Sequence, residues 1–272
     1  MEQKWCFAVA SAQVDSERDG QVRQWLKSDD RVVIVAVDEP LALTTWALAH
    51  DGLEQLVFVG RQTHAPAMAV AANLLTGRLP QLQVSTSTWR TTTLGLAVLS
   101  AQVHESAQCA HEAVAQMQQL VPVAWSAAWL PSVTGLAEPR PSFIQHLRSM
   151  MPAQVAYLAM LTPQARVARL SSAEGTSELS GATLIMGGQL PQSDRDALQR
   201  QAGVSQLVVL PAVEDGKSQY GTSQAVELIW MPSAFAVKTG RPSGWCEVCQ
   251  SPVWGEFCPF CRVAVVRYQG VA

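Results

Sequence analysis

The chain is 272 residues long, 48% hydrophobic and only 15% charged, with a formal net charge of −3. With no basic cluster, that balance excludes broad electrostatic binding to nucleic acid. No apolar run reaches the ~18 residues of a membrane-spanning helix. The length supports two domains and a small appendage. The low charge and nine tryptophans fit a surface partly covered by partner subunits.

Residues 31–37, "RVVIVAV", form a continuous β-branched run ending at Asp38, the signature of a strand buried in a parallel sheet. "PLALTTWALAHDGL" follows as a helix closed by Gly52, and "QLVFVG" as a second buried strand ending at Gly60. "APAMAVAANLLTG" predicts a helix with Gly77 as its C-cap. "LQVSTSTW" and "TTLGLAVLSAQV" read as strands, "ESAQCAHEAVAQMQQL" as a helix and "VPVAWSAAW" as a strand-like segment. The Pro-flanked stretch 139–154 predicts an excursion over the surface. Beyond it come "RVARLSS" and "GATLIMGG" as strands, the latter running into Gly187 and Gly188. "SDRDALQRQAG" predicts a helix capped by Ser193 and Gly203, and "SQLVVLPAV" another buried strand. The alternation predicts an α/β fold with a mainly parallel sheet flanked by helices. We divide it into an α/β domain over 1–154, a smaller α/β unit over 155–237, and a linker with a ribbon over 238–272.

Four of the six cysteines lie in that ribbon: Cys246-x2-Cys249, eight residues, then Cys258-x2-Cys261. Two such pairs supply the four thiolates of a tetrahedral zinc site, with no position left open for substrate. The ribbon is therefore expected to be structural. An iron centre on four cysteines uses the same ligand set. Disulfides would need an oxidising compartment, and the N-terminus "MEQKWCFAVASAQ" lacks a basic region followed by a long apolar run. These features point to the cytoplasm. Cys6 and Cys109 read as small buried hydrophobes. His104 and His111 are seven apart, with Cys109 off their shared face, a poor metal set.

In parallel sheets, ligands gather at the carboxyl ends of strands. Three such ends carry informative residues: Asp38 with Thr44 on the next helix, the run Gly60-Arg61-Gln62-Thr63-His64, and Gly187-Gly188. Glycine amides at helix starts can receive phosphate. No GxGxxG, Walker A or G-x-S-x-G motif is present.

The segment "LVFVGRQTHAPAMAVAANLLTGRLPQL" resembles electron transfer flavoprotein subunits at Gly60, Arg61, Gln62, Ala71, Leu74, Leu75, Leu79, Pro80 and Gln81. A second stretch is similar at Pro122 and at Glu138-Pro139-Arg140-Pro141-Ser142-Phe143-Ile144, and a third at Glu178, Leu179, Ala182, Gly187 and Gly188. The resemblance implies an adenine-nucleotide-binding α/β domain holding FAD or AMP, in a heteromer that passes electrons within a multicomponent redox enzyme. Asp38, Thr44, Gly60, Arg61, Gln62, Thr63, Gly187 and Gly188 would then hold the nucleotide. Where the family carries D-G-D-x-G-Q, this chain has "THAPAMA", and "GGRG" is "GGQL". These departures support a second reading, a zinc-ribbon scaffold subunit whose nucleotide site has degenerated.

Overall fold

The computed structural model describes residues 4–13, 22, 24, 31–151, 155–170, 183–204, 206–231 and 239–267. Two sheets enclose a pair of buried helices. The first sheet has β1 (Trp5–Ser11), β2 (Val32–Ala36), β3 (Gln55–Arg61) and β4 (Gln83–Trp89) in the order β2-β1-β3-β4. Its three strand pairs are all parallel. Alternation along β1 explains both of its faces. Phe7 and Val9 pack toward the buried helices, while Cys6, Ala8 and Ala10 pack toward α1 (Ala42–Leu48) and α2 (Ala65–Arg78).

The buried helices are α3 (Thr93–Ser106) and α4 (Ala110–Leu120). Here the sequence expectation fails, because "TTLGLAVLSAQV" is the start of α3 and not a strand. Leu94, Leu96, Ala97, Val98 and Leu99 are all buried, so α3 is apolar on every side. Such a run carries no periodicity that separates a buried helix from a buried strand. The Thr92 side chain caps the helix by accepting from the Gly95 amide at 2.9 Å.

The second sheet has β5 (Trp125–Leu130), β6 (Tyr157–Thr162), β7 (Arg166–Arg169), β8 (Thr183–Gly187), β9 (Gln206–Leu210) and β10 (Val226–Met231), in the order β7-β6-β5-β10-β8-β9. Only β8 and β9 pair in parallel; the other four pairings are antiparallel. The fold is thus mixed α/β, and the expectation of a mainly parallel architecture is corrected for this sheet. β9 is an edge strand with only Leu210 buried, where a buried strand was expected. Ile185, Leu210 and Ile229 pack against α3 and α4, while Leu184, Met186 and Leu228 face α6 (Gln192–Ala202). Gly203 closes α6 at φ 58°, as expected, but the N-cap is Pro191 and not Ser193. The surface excursion carries α5 (Phe143–Ser149), with a capping box between Ser142 and Gln145 and no buried residue. Glu178, Leu179 and Ala182 lie outside the described residues.

A third, small sheet has β11 (Gly244–Trp245), β12 (Pro252–Val253) and β13 (Val266–Arg267), in the order β12-β11-β13. Its loops carry the four ribbon cysteines, and no disulfide joins cysteines among the described residues. No helix among the described residues is long and apolar enough to cross a membrane.

Candidate ligand-binding site

The four parallel strands end on one edge, and the second sheet closes over it. β10 brings Glu227, and the segment after β9 brings Glu214 and the short helix α7 (Lys217–Tyr220). At the centre, Arg61 is 3% exposed and sits 3.2 Å from the Glu227 carboxylate. Glu227 also accepts from the Thr93 amide at 3.2 Å, the Leu94 amide at 2.7 Å and the Tyr220 hydroxyl at 2.9 Å. The first two are orphan amides at the α3 N-terminus, where the helix dipole favours an anion. The Arg61 guanidinium lies 4.9 Å from the Tyr220 ring centroid, a cation–π contact. Glu214 accepts from the Thr93 hydroxyl and, at 3.3 Å, from the Ala12 amide, and it faces His64 Nε2 at 3.5 Å.

Burial pushes the Glu227 carboxyl above its ordinary range, with Glu214 adding to the push, while Arg61, the Leu94 amide and Tyr220 pull against it. Burial also drives the Tyr220 hydroxyl well up. For Glu214 burial acts upward too, but the His64 hydrogen bond, the Arg61 charge and the Thr93 hydroxyl outweigh it and hold the carboxyl low. A lowered folded-state value stabilises the fold above the ordinary carboxylate value of 4.5, and that stabilisation is lost as pH falls through the folded-state value. We expect Glu214→Gln to lower the melting temperature most at neutral pH, with the gap to wild type closing below about pH 4.5. Melts from pH 7 to pH 3 read this directly; a gap independent of pH would show that the Glu214 charge contributes nothing.

Two openings flank this cluster. The larger, about 570 Å³, is lined by Ala12, Gln13, Asp38, Asp215, Lys217 and Ser218. The smaller, about 30 Å³, is bordered by Arg61, Gln62, Thr63, Trp89 and Arg90 among others. The structure therefore places Asp38 on the larger opening and Arg61, Gln62 and Thr63 on the smaller. Thr44 is buried in α1, its hydroxyl without a hydrogen-bond partner among the described residues. Gly60 packs against Met68 and Ala10, where any Cβ would clash. Gly187 faces Leu94, and Gly188, at φ +126°, faces Val226 and donates its amide to the Leu210 carbonyl at 2.8 Å.

These placements remove the physical basis of the nucleotide site. The glycines admit neighbouring side chains and a turn rather than a pyrophosphate, and Arg61 is already committed to an internal carboxylate. Glu214, Tyr220 and Glu227 were not among the residues singled out for ligand binding, and His64 entered only as the end of the run from Gly60. The visible signal for Glu227 was a lone acid inside the apolar run "AVELIWM", which burial obliges to find partners.

Neither a protein-family model nor a curated protein sequence matches the chain. Solved structures do. A DegV family protein from Corynebacterium glutamicum superposes with a TM-score of 0.58 at 11% identity, covering 86% of this chain and 98% of that one. This chain shares the DegV fold. A DegV family protein from Thermus thermophilus, described as fatty-acid-binding, gives a TM-score of 0.57 at 11% identity, over 84% of this chain and 99% of its own. The fatty acid kinase B3 protein of Streptococcus pneumoniae, loaded with linoleic acid, gives 0.51 at 11% identity, over 85% and 99%. The DegV fold overturns the electron transfer flavoprotein resemblance, and with it FAD or AMP, electron transfer and the redox complex. The short matching motifs around Gly60 and Gly187 were generic strand-to-turn junctions.

The ribbon cysteines form a separate cluster, with all four Sγ atoms within 4.8 Å of one another. His104 and His111 point to different places. His104 stacks on Trp5 at 4.2 Å and meets the Trp5 carbonyl at 3.3 Å. His111 reaches the ribbon.

Proposed function

We propose that this chain binds a long-chain carboxylic acid, a fatty acid or chemically similar acyl chain, at the carboxyl edge of its parallel sheet. The observation that carries the reading is the cleft of about 570 Å³ with Lys217 on its lining. Its volume falls in the ~300–1,000 Å³ range of small-molecule sites. Its position is where open α/β sheets take ligands. Lys217 is the cation on this lining available to a carboxylate head, beside the Asp38 and Asp215 carboxylates. The fatty acids carried by proteins of the same fold support the same ligand class. In this reading the chain is a cytoplasmic carrier, and it delivers the acid to a partner that acts on the carboxylate. The C-terminal sheet is a structural zinc ribbon on Cys246, Cys249, Cys258 and Cys261, a reading supported by the convergence of their sulfurs.

The test begins with solvent extraction of the purified protein and mass spectrometry of the extract. Fatty acid is expected at near-stoichiometric amounts. Delipidated protein should then bind oleate in calorimetry, and Lys217→Glu should weaken that binding about tenfold or more, equivalent to ~1.4 kcal/mol. An extract without fatty acid, together with no heat of binding at micromolar oleate, would overturn the proposal.

A further inference from the structure

The ribbon is not a free appendage. His111 lies at the start of α4, is 2% exposed, and places Nε2 3.5 Å from Cys249 Sγ and 3.6 Å from Cys258 Sγ. Those two sulfurs are 3.7 Å apart. A Zn–S bond of ~2.3 Å gives a tetrahedral edge of about 3.8 Å, so the pair is already spaced as two ligands of one metal. The backbone agrees independently. Gln250 and Arg262, each the residue directly after a C-x-x-C pair, take φ 54° and φ 59°. Their amides donate to the carbonyls of Cys246 and Cys258, both at 2.9 Å. Two left-handed non-glycine residues at equivalent positions mark two turns of the same design, each folding a cysteine pair around one point.

Four thiolates around a divalent ion leave two excess negative charges. The cluster then needs N–H donors, and metal-bound thiolates can only accept. We infer that His111 donates its Nε2–H across the Cys249–Cys258 edge of a zinc site, so that metal binding clasps the ribbon onto α4 of the main fold. Three further contacts mark the same seam. The Phe260 ring lies 4.6 Å from the His111 ring, Thr239 Oγ1 donates to Glu112 Oε1, and Phe260 packs against the core that includes α4. The Cys261 amide supplies a second N–H to Cys258 Sγ at 3.4 Å. The clasp rests on the zinc reading of the ribbon and is independent of the lipid reading.

The experiment uses the full-length protein. Metal content is measured first, by inductively coupled plasma mass spectrometry after purification without added metal. One zinc per chain is expected; a chain without zinc or any other thiophilic metal overturns the metal site and the clasp together. His111→Leu and His111→Gln are then compared. Loss of a ligand-orienting hydrogen bond costs about 10–100-fold in metal affinity, so the leucine variant should show that loss in chelator competition, and the glutamine variant, which keeps an N–H donor, should recover part of it. In cadmium-113 NMR of the substituted protein, the leucine variant should shift the resonance and the glutamine variant move it back toward wild type. Hydrogen exchange supplies the docking readout. Chelation should deprotect residues 110–116 as well as 244–267. If the metal binds but His111→Leu leaves affinity and cadmium shift unchanged, or if chelation deprotects only 244–267, the clasp is wrong while the metal site stands.

Discussion

Glu227→Gln lowers the free energy of unfolding by about 3–5 kcal/mol, the cost of breaking a buried ion pair while leaving its partner behind. The carboxylate accepts from four groups: Arg61, the Thr93 amide, the Leu94 amide and Tyr220. A glutamine offers one oxygen in place of two and turns an NH2 group toward donors. Some of Arg61, the α3 amides and Tyr220 then lose their acceptor in an almost fully buried place. The variant should show an earlier urea midpoint with an unchanged slope. Arg61→Met should be similarly destabilising, because it strands Glu227 and Glu214 without their guanidinium. The double variant Arg61→Met, Glu227→Leu removes both charges and should cost less than the sum of the singles by ~0.5–3 kcal/mol. A Glu227→Gln cost below about 1 kcal/mol would place this pair with exposed ion pairs and refute its role as the electrostatic centre of the seam.

Gly221→Ala is the second large effect. Gly221 closes α7 at φ +73°, and a Cβ there would lie 2.5 Å from Gly135 Cα and close to the rest of the Gly135 backbone. A built Cβ on Gly135 would in turn lie 2.9 Å from Gly221 Cα. The two segments touch backbone to backbone, so no side chain can rotate away. The left-handed conformation costs about 1–2 kcal/mol for a residue with a Cβ. The overpacking adds about 1–3 kcal/mol. We expect a total of roughly 2–5 kcal/mol, read in thermal melts. Because Tyr220 precedes Gly221 and donates to Glu227, oleate binding should also weaken. The useful contrast is Gly188→Ala. At φ +126° it is strained as well, but its Cβ would meet only the Val226 side chain, at 3.3 Å. If the two substitutions destabilise equally, backbone strain alone governs both, and the close approach of Gly135 is unimportant.

The parts of the fold that announced themselves in the sequence were those where one physical constraint dominates. β2 is a fully buried strand announced by its β-branched run, and the buried centre of β3 by the apolar run Leu56–Val59. The turn chemistry of Gly203 and the cysteine spacing were equally direct. α3 was misread because burial on every side erases helical periodicity. β1 and β10, which sit inside their sheets, passed without notice, the latter because Glu227 breaks its apolar run. The site was half legible. Asp38, Arg61, Gln62 and Thr63 do lie on the carboxyl edge, as strand-end logic demands. Their chemistry was not legible, since the groups that neutralise Arg61 come from more than 150 residues away: Glu214 and Glu227 have no local pattern that ties them to residue 61. His111 was weighed with its sequence neighbours Cys109 and His104. Its partners, Cys249 and Cys258, are brought to it by the path of the chain after β10.

The position of β10 has a bearing on how the chain is made. It is the last strand of the second sheet to leave the ribosome, yet it lies in the middle, between β5 and β8. Until residues 226–231 emerge, β5 and β8 each present a bare edge, and bare edges recruit other chains. The same strand carries Ile229 against α3 and Glu227 onto its N-terminus. Sheet closure, burial of the central helix and neutralisation of Arg61 therefore happen in one late step. The nascent chain, with two half-sheets waiting on a single strand, is the form most in need of a chaperone.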